Sequence, residues 1–278
     1  MNEQHRRQFI KWYCLFFYAL FLFKWAAGLL LYQLQPSLFN TRFDFFTWLL
    51  MDTGIHQWLL NNQAGWLLFD IIFYSLPLLY FLAVRVNKRA GSFLAFLMLL
   101  VNWLYLQCYT LYPTNSIESF TAWLLLPLLL MAGSLRSFYF ILHGLRYFFL
   151  FFFASAGLWK FVQGGLFNTS QMSGILLYQH AEFLVSSPNH WFTRLAYWLI
   201  NYPVTSYLLY AGATVLELLF IVGFFTRKYD KVLMAVFLLF IGMDLLIMRI
   251  YYWETLPFTL LLLFSKFTLP RQNTPSAV

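Results

Sequence analysis

The chain has 278 residues, of which 62% are hydrophobic and only 10% are charged. A soluble domain uses about 25% charged residues to cover its surface, so the composition excludes an ordinary soluble protein. The formal net charge of +8 could indicate nucleic-acid binding. In a chain this apolar it instead indicates the basic cytoplasmic loops of a membrane protein.

Repeated apolar runs of roughly 20 residues predict an all-α, polytopic transmembrane bundle, because each run can cross a ~30 Å hydrocarbon core. The runs are continuous rather than alternating, which argues against a membrane β-barrel. Eight spans are predicted, the fourth and eighth of them short, at residues 9–32, 63–84, 91–112, 119–133, 138–161, 204–225, 231–252 and 255–267. Residues 1–270 are expected to form one transmembrane domain, followed by a short disordered cytoplasmic tail at 271–278.

The two long loops on the predicted outer side, residues 33–62 and 163–203, are too apolar for solvated loops and predict interfacial or re-entrant helices. With the N-terminus inside, the outer loops hold only Arg42 and Arg194 as basic residues. The remaining loop arginines and lysines then lie inside, which predicts a multi-pass protein of the cell inner membrane with both termini in the cytoplasm.

Charged residues inside predicted spans are expensive and are therefore candidates for function. At ~1.5 Å per residue, Lys24, Asp70 and Asp244 fall in the outer half of the membrane, where Lys24 and Asp70 are expected to face each other. Arg146 and Glu217 fall at similar depth in the inner half, which predicts a structural ion pair. Such pairs often specify packing only, and Lys160 at an outer helix end could simply snorkel to the headgroups.

Histidines in the outer segments supply further candidates, with His56, His180 and His190 expected to roof an outward-facing pocket. Together with Lys24, Asp70 and Asp244, the latter two histidines are predicted to bind substrate. The spacing of His180 and His190 matches no zinc motif, and no metal site is predicted.

The stretch "ASAGLWKFVQGG" at residues 154–165 resembles the HTTM (horizontally transferred transmembrane) superfamily, the membrane module of vitamin K-dependent gamma-carboxylase. The later stretch "YAGATVLELLFIVGFFTRKYDKVLMAVFLLFIGMDLL" is similar to the family segment with a central acidic residue. On this matching Ala156, Gly157 and Lys160 carry the motif and Glu217 is the acidic position. The family usually has a histidine in the helix after the basic turn, where this chain has Asp244.

The resemblance implies that Lys160 is a catalytic base and that an isoprenoid quinone or quinol is the cofactor. It further implies quinol-coupled modification or maturation of an exported peptide, with that peptide or a small redox protein as partner beside membrane lipids, and no nucleic acid. Two alternatives stay open: a non-catalytic DoxX-like membrane subunit or assembly factor, and a proton-coupled transporter. The transporter would call for an inverted repeat, and the sequence shows no obvious repeat.

Overall fold

A computed structural model describes residues 3–34, 45–54, 62–109 and 120–266 of the chain. Every regular element in these ranges is helical. The α-helices in chain order are α1 Glu3–Ala26, α2 Phe45–Asp52, α3 Gln63–Val86, α4 Lys88–Tyr109, α5 Thr121–Leu130, α6 Leu135–Val162, α7 Gln171–Ser186, α8 Trp191–Asn201, α9 Pro203–Leu218, α10 Val222–Phe225, α11 Asp230–Met243 and α12 Thr259–Leu263.

Six helical stretches of the described residues are long and apolar enough to cross a membrane, as expected for a multi-pass membrane protein. They are residues 3–26, 63–86, 88–109, 135–162, 203–225 and 230–248. The fourth and eighth predicted spans correspond to the shorter apolar helices Thr121–Leu130 and Trp253–Leu263. A helix of ten residues rises only about 15 Å, half of the hydrocarbon thickness.

The two loops that were predicted to lie outside, residues 33–62 and 163–203, contain helices. Helix α2 lies in the first of them, and α7 and α8 lie in the second. His56 and the predicted tail at 271–278 fall outside the described residues.

The chain divides into two compact units, with the division inside α6. Unit 1 comprises residues 1–145 and 252–278, and unit 2 comprises residues 146–251. Within unit 1, α3 and α4 form a tight hairpin at Asn87, whose side chain accepts the Arg89 N–H at 2.9 Å. Gly91 favours their close approach, because a Cβ there would stand in tight contact with the Val84 side chain, at 3.1 Å.

The core of unit 1 is aromatic. Phe73 stacks on Tyr105 with ring centroids 3.8 Å apart, and Phe17 packs edge-on against Trp123 at 4.6 Å. Edge-on and offset aromatic pairs add stability beyond the apolar area that they bury. These rings fix α1, α3 and α4 around the charged side chains that lie between them.

Unit 2 is built on α6, α9 and α11. Phe149 packs edge-on against Phe220 and Phe237, at 5.6 and 5.0 Å. Gly223 allows the chain to approach α6, because a Cβ at that position would lie 2.5 Å from a methyl group of Leu150. Beyond Lys160, α6 ends at a glycine turn in which Gly164 has φ +75°.

Candidate functional site

Lys160 turns toward Glu217 in the interior of unit 2. It lies in the last turn of α6, and its Nζ donates to Glu217 Oε1 of α9 at 2.7 Å. The Glu217 side chain is 4% exposed and that of Lys160 is 26% exposed. This pair argues against the snorkelling alternative, because the ammonium has a buried carboxylate as its partner.

A glycine makes this pairing possible. A Cβ on Gly157 would lie 3.0 Å from the Glu217 Cβ, so α6 and α9 approach closely one turn before Lys160. The rings of Tyr210 and Phe240 have their centroids 5.5 and 5.9 Å from the Lys160 nitrogen, within cation–π range. The ammonium is thus bounded by one carboxylate and two aromatic rings.

A second carboxylate, Asp244, belongs to the same cluster. It is half-buried at the start of a π-helical turn, Asp244–Met248, and interacts electrostatically with both Lys160 and Glu217. The cluster therefore contains two carboxylates for one ammonium. Glu217 Oε2 is buried, and among the described residues it has no hydrogen-bond partner. An unpartnered buried acceptor is costly, so this oxygen is suited to receive a proton donor.

The predicted Arg146–Glu217 pair is wrong. The Arg146 side chain is 1% exposed and donates from Nε to Asp230 Oδ2 at 2.8 Å. Another guanidinium nitrogen donates to the Gly223 carbonyl at 2.9 Å. Both partners flank the turn between α10 and α11, so Arg146 ties α6 to that turn.

The error came from assuming that antiparallel helix ends lie level. Glu217 lies about 21 Å along α9 from Pro203, yet it meets Lys160 in the last turn of α6. The first turns of α9 therefore extend beyond α6. They pack instead against α7, where Ser206 Oγ lies 2.8 Å from Ser173 Oγ.

Asp230 is an important position that the sequence interpretation missed. It lies in the segment "TRKYDK", in which the other charged residues are basic, and it is fully buried. The sequence signal that could have identified Asp230 as a buried partner is a single acid among basic residues, directly at the start of an apolar helix.

In unit 1, Lys24 pairs with Glu254 rather than with Asp70. Its Nζ donates to Glu254 Oε1 at 2.8 Å, and both side chains are almost fully buried. The rings of Tyr109 and Phe120 flank the nitrogen at 4.3 and 4.4 Å. The expected Lys24–Asp70 contact is wrong, although Lys24 remains within electrostatic range of Asp70.

Asp70 instead anchors the backbone that follows α1. Its carboxylate accepts the N–H groups of Leu31 and Tyr32, at 3.4 and 2.9 Å, and the Tyr105 hydroxyl at 2.7 Å. Because α1 ends at Ala26, this turn folds back onto α3 and supplies donors that the sequence interpretation had placed in a helix. Asp70 therefore has a structural role within unit 1.

The two predicted outer histidines act locally within unit 2. His180 Nε2 lies 2.8 Å from the Met248 carbonyl, and partial burial lowers the pKa of the imidazole below its usual value. His190 caps α8 by accepting the Phe192 N–H at 3.2 Å. Among the described residues, no group of three or more His, Cys, Asp or Glu side chains could hold a metal ion.

His180 and Arg249 hold the interrupted end of the α11 segment. Arg249 has φ +49°, a strained conformation for a residue with a side chain. Its guanidinium lies over the rings of Phe183 and Phe192, at 4.2 and 5.3 Å. These contacts from α7 and α8 keep the helix break in place next to Asp244.

The two lysine clusters share one local design that the sequence interpretation did not detect. Residues 23–28 read "FKWAAG" and residues 159–164 read "WKFVQG". In each, the lysine lies in the last helical turn, the glycine four residues later has a positive φ, and the flanking aromatics are exposed. Each lysine meets a glutamate, a tyrosine ring and a phenylalanine ring, but only the cluster of Lys160 is partly open.

Comparisons of the chain with known protein families, curated proteins and solved structures find no match in any of the three. The resemblance to the HTTM superfamily stays an expectation from the motif around Lys160.

Proposed function

We propose that the protein is an HTTM-type, multi-pass protein of the cell inner membrane with both termini in the cytoplasm. In this proposal the six long helices and the two shorter apolar helices make eight passes. The Lys160 cluster of unit 2 binds the hydroxyl group of an isoprenoid quinol and exchanges a proton with it. This proton exchange serves the modification or maturation of an exported peptide.

The observation that carries the proposal is the ion pair of Lys160 with Glu217, whose second oxygen is buried and unpartnered among the described residues. Buried charges in membrane helices are expensive and mark functional sites by default. Arg146 satisfies both oxygens of Asp230, whereas Glu254 Oε2 in the Lys24 pair is buried and, among the described residues, unpartnered like Glu217 Oε2. The Lys160 pair differs from the Lys24 pair in its partial exposure, which would give a ligand access to it.

The residues present fit a quinol hydroxyl. Glu217 Oε2 is a hydrogen-bond acceptor without a partner among the described residues. The Tyr210 and Phe240 rings offer apolar faces beside the ammonium. A bound quinol would supply an acidic hydroxyl and an electron-rich ring. Lys160 was predicted as the base, but it already donates to Glu217 Oε1. The geometry favours Glu217 Oε2 as the proton acceptor, with Lys160 orienting the carboxylate.

Binding of a short-chain quinol to the purified full chain in nanodiscs tests this proposal. We expect Lys160→Met and Glu217→Gln each to weaken binding about 10- to 100-fold, because Glu217→Gln removes the charged acceptor and Lys160→Met removes the ammonium that orients it. The matched control is Lys231→Met, an exposed lysine of unit 2 that should bind like the unmodified protein. Equal binding by all four proteins would refute the proposal, as would no binding by any of them.

A proton-coupled transporter is the second candidate, favoured by the helix break at Asp244–Met248 beside an excess carboxylate. It predicts that proteoliposomes take up protons and that Asp244→Asn abolishes this uptake. Quinol binding without proton uptake would reject the transporter. A DoxX-like, non-catalytic subunit would instead retain its cellular function in both the Lys160→Met and Asp244→Asn variants.

A further inference from the structure

Unit 1 contains a basic groove of about 760 Å³, between the start of α1, the end of α3 and the start of α4. Its volume lies within the range of small-molecule pockets, roughly 300–1,000 Å³. The groove is separate from the Lys24 cluster, with which it shares no lining residue.

The groove carries a strong excess of positive charge. Its charged lining residues are Glu3, Arg6, Arg7, Lys11, Arg85 and Lys88. The single acid, Glu3, already pairs with Lys88 at 3.0 Å. Four cationic side chains are therefore left to face the same space.

Arg6 distinguishes this groove from a solvated basic surface. It is only 5% exposed, and among the described residues no carboxylate lies within 4 Å of it. It interacts with the hydroxyl of Tyr80, which itself donates to the Leu130 carbonyl at 3.2 Å. Glu3 interacts electrostatically with Arg6 but pairs directly with Lys88, so within the described part of the chain the buried guanidinium lacks a directly paired carboxylate and creates a place for an anion.

The wall of the groove is apolar. Ile10, Phe81 and Val84 line it beside the charges, and the Arg85 guanidinium lies over the Phe81 ring at 4.0 Å. A simple anion would use the charges but not this wall. A ligand with a phosphate head and an apolar continuation would use both.

We propose that this groove binds the phosphate of an anionic phospholipid headgroup. In the orientation proposed above, the groove opens on the cytoplasmic side, where the membrane surface is negatively charged. Arg6 contacts the phosphate at the base of the groove, and Arg7, Lys11 and Arg85 surround it. The acyl chains continue along the apolar wall.

The test measures binding of phosphatidylglycerol, phosphatidylcholine and inorganic phosphate to the purified full chain in a neutral detergent, by thermal stabilisation and native mass spectrometry. We expect phosphatidylglycerol alone to raise Tm and to remain bound. The triple variant Arg7→Gln, Lys11→Gln, Arg85→Gln changes side chains that are not buried, and it should weaken binding at least about tenfold. The control variant Arg136→Gln, Lys228→Gln, Lys231→Gln removes equal charge from positions outside the groove and should bind normally.

Arg6→Lys provides a second variant, which keeps the charge and removes the planar fork of donors. Weaker phosphatidylglycerol binding at an unchanged lipid-free Tm would support the proposal. Equal stabilisation by inorganic phosphate would overturn the assignment to a lipid. Equal loss of binding in the control triple variant would overturn the site, because the attraction would then be general surface electrostatics. Neither result depends on quinol binding at Lys160.

Discussion

Lys160→Met removes the ammonium from its pair with Glu217 and leaves an apolar side chain of similar length. The Glu217 carboxylate, 4% exposed, then stays buried without a charged partner. Removing one partner of a fully buried pair costs about 3–5 kcal/mol. Lys160 is 26% exposed, which screens part of the interaction, so we expect a loss of about 2–3 kcal/mol in the free energy of unfolding.

The test is a double-mutant cycle of Lys160→Met with Glu217→Gln. The free energy of unfolding of each variant is measured by reversible unfolding in mixed micelles. If the two charges stabilise each other, the double variant should be more stable than the sum of the single losses predicts, by about 2 kcal/mol. The exposed control Lys231→Met should change stability by less than about 0.5 kcal/mol. Additive losses, with a coupling near zero, would refute the pairing and restore Lys160 as a snorkelling residue.

Three further predictions concern unit 2 and the helix that enters it. Asp230→Asn should lower stability by about 3 kcal/mol, measured in the same micelles, because it leaves the Arg146 guanidinium buried without a charge partner. Gly164→Ala should cost about 1–2 kcal/mol because φ is +75°, whereas Gly144→Ala, inside a helix with open space around it, should be neutral or stabilising. The lowered pKa of His180 means that its stabilising contribution is present above the unfolded-state value of about 6.5 and is lost as pH falls through the folded value. The Tm should therefore drop as the pH falls below about 6.5 in the unmodified protein, and less in His180→Asn; parallel profiles would contradict this account.

Hydropathy was sufficient to locate most of the helices that are long and apolar enough to cross a membrane. The prediction of 63–84 corresponds to Gln63–Val86, and that of 204–225 corresponds to the stretch 203–225. The length of an apolar run predicts such a helix, because in lipid the backbone N–H and C=O groups of a single segment can be hydrogen-bonded only within a helix. The first predicted span, 9–32, is displaced from the observed helix α1, Glu3–Ala26. Hydropathy ignores the charged first turns of α1 and the glycine turn that follows it.

Charge in an apolar segment likewise identified important side chains from the local sequence alone. Five charged side chains singled out in this way form hydrogen bonds or ion pairs: Lys24, Asp70, Arg146, Lys160 and Glu217. Their identity follows from the cost of burying charge, which is a local property of the sequence.

The partners of these charges depended on packing. Lys24 meets Glu254, which is 230 residues away, and Lys160 meets Glu217 because α9 extends past the end of α6. Helix length predicts depth only when helix ends lie level, and the glycine contacts and the packing of α7 against α9 set a different stagger. Local composition therefore determines which residues must be buried and paired, whereas the axial offset between helices determines which pairs form.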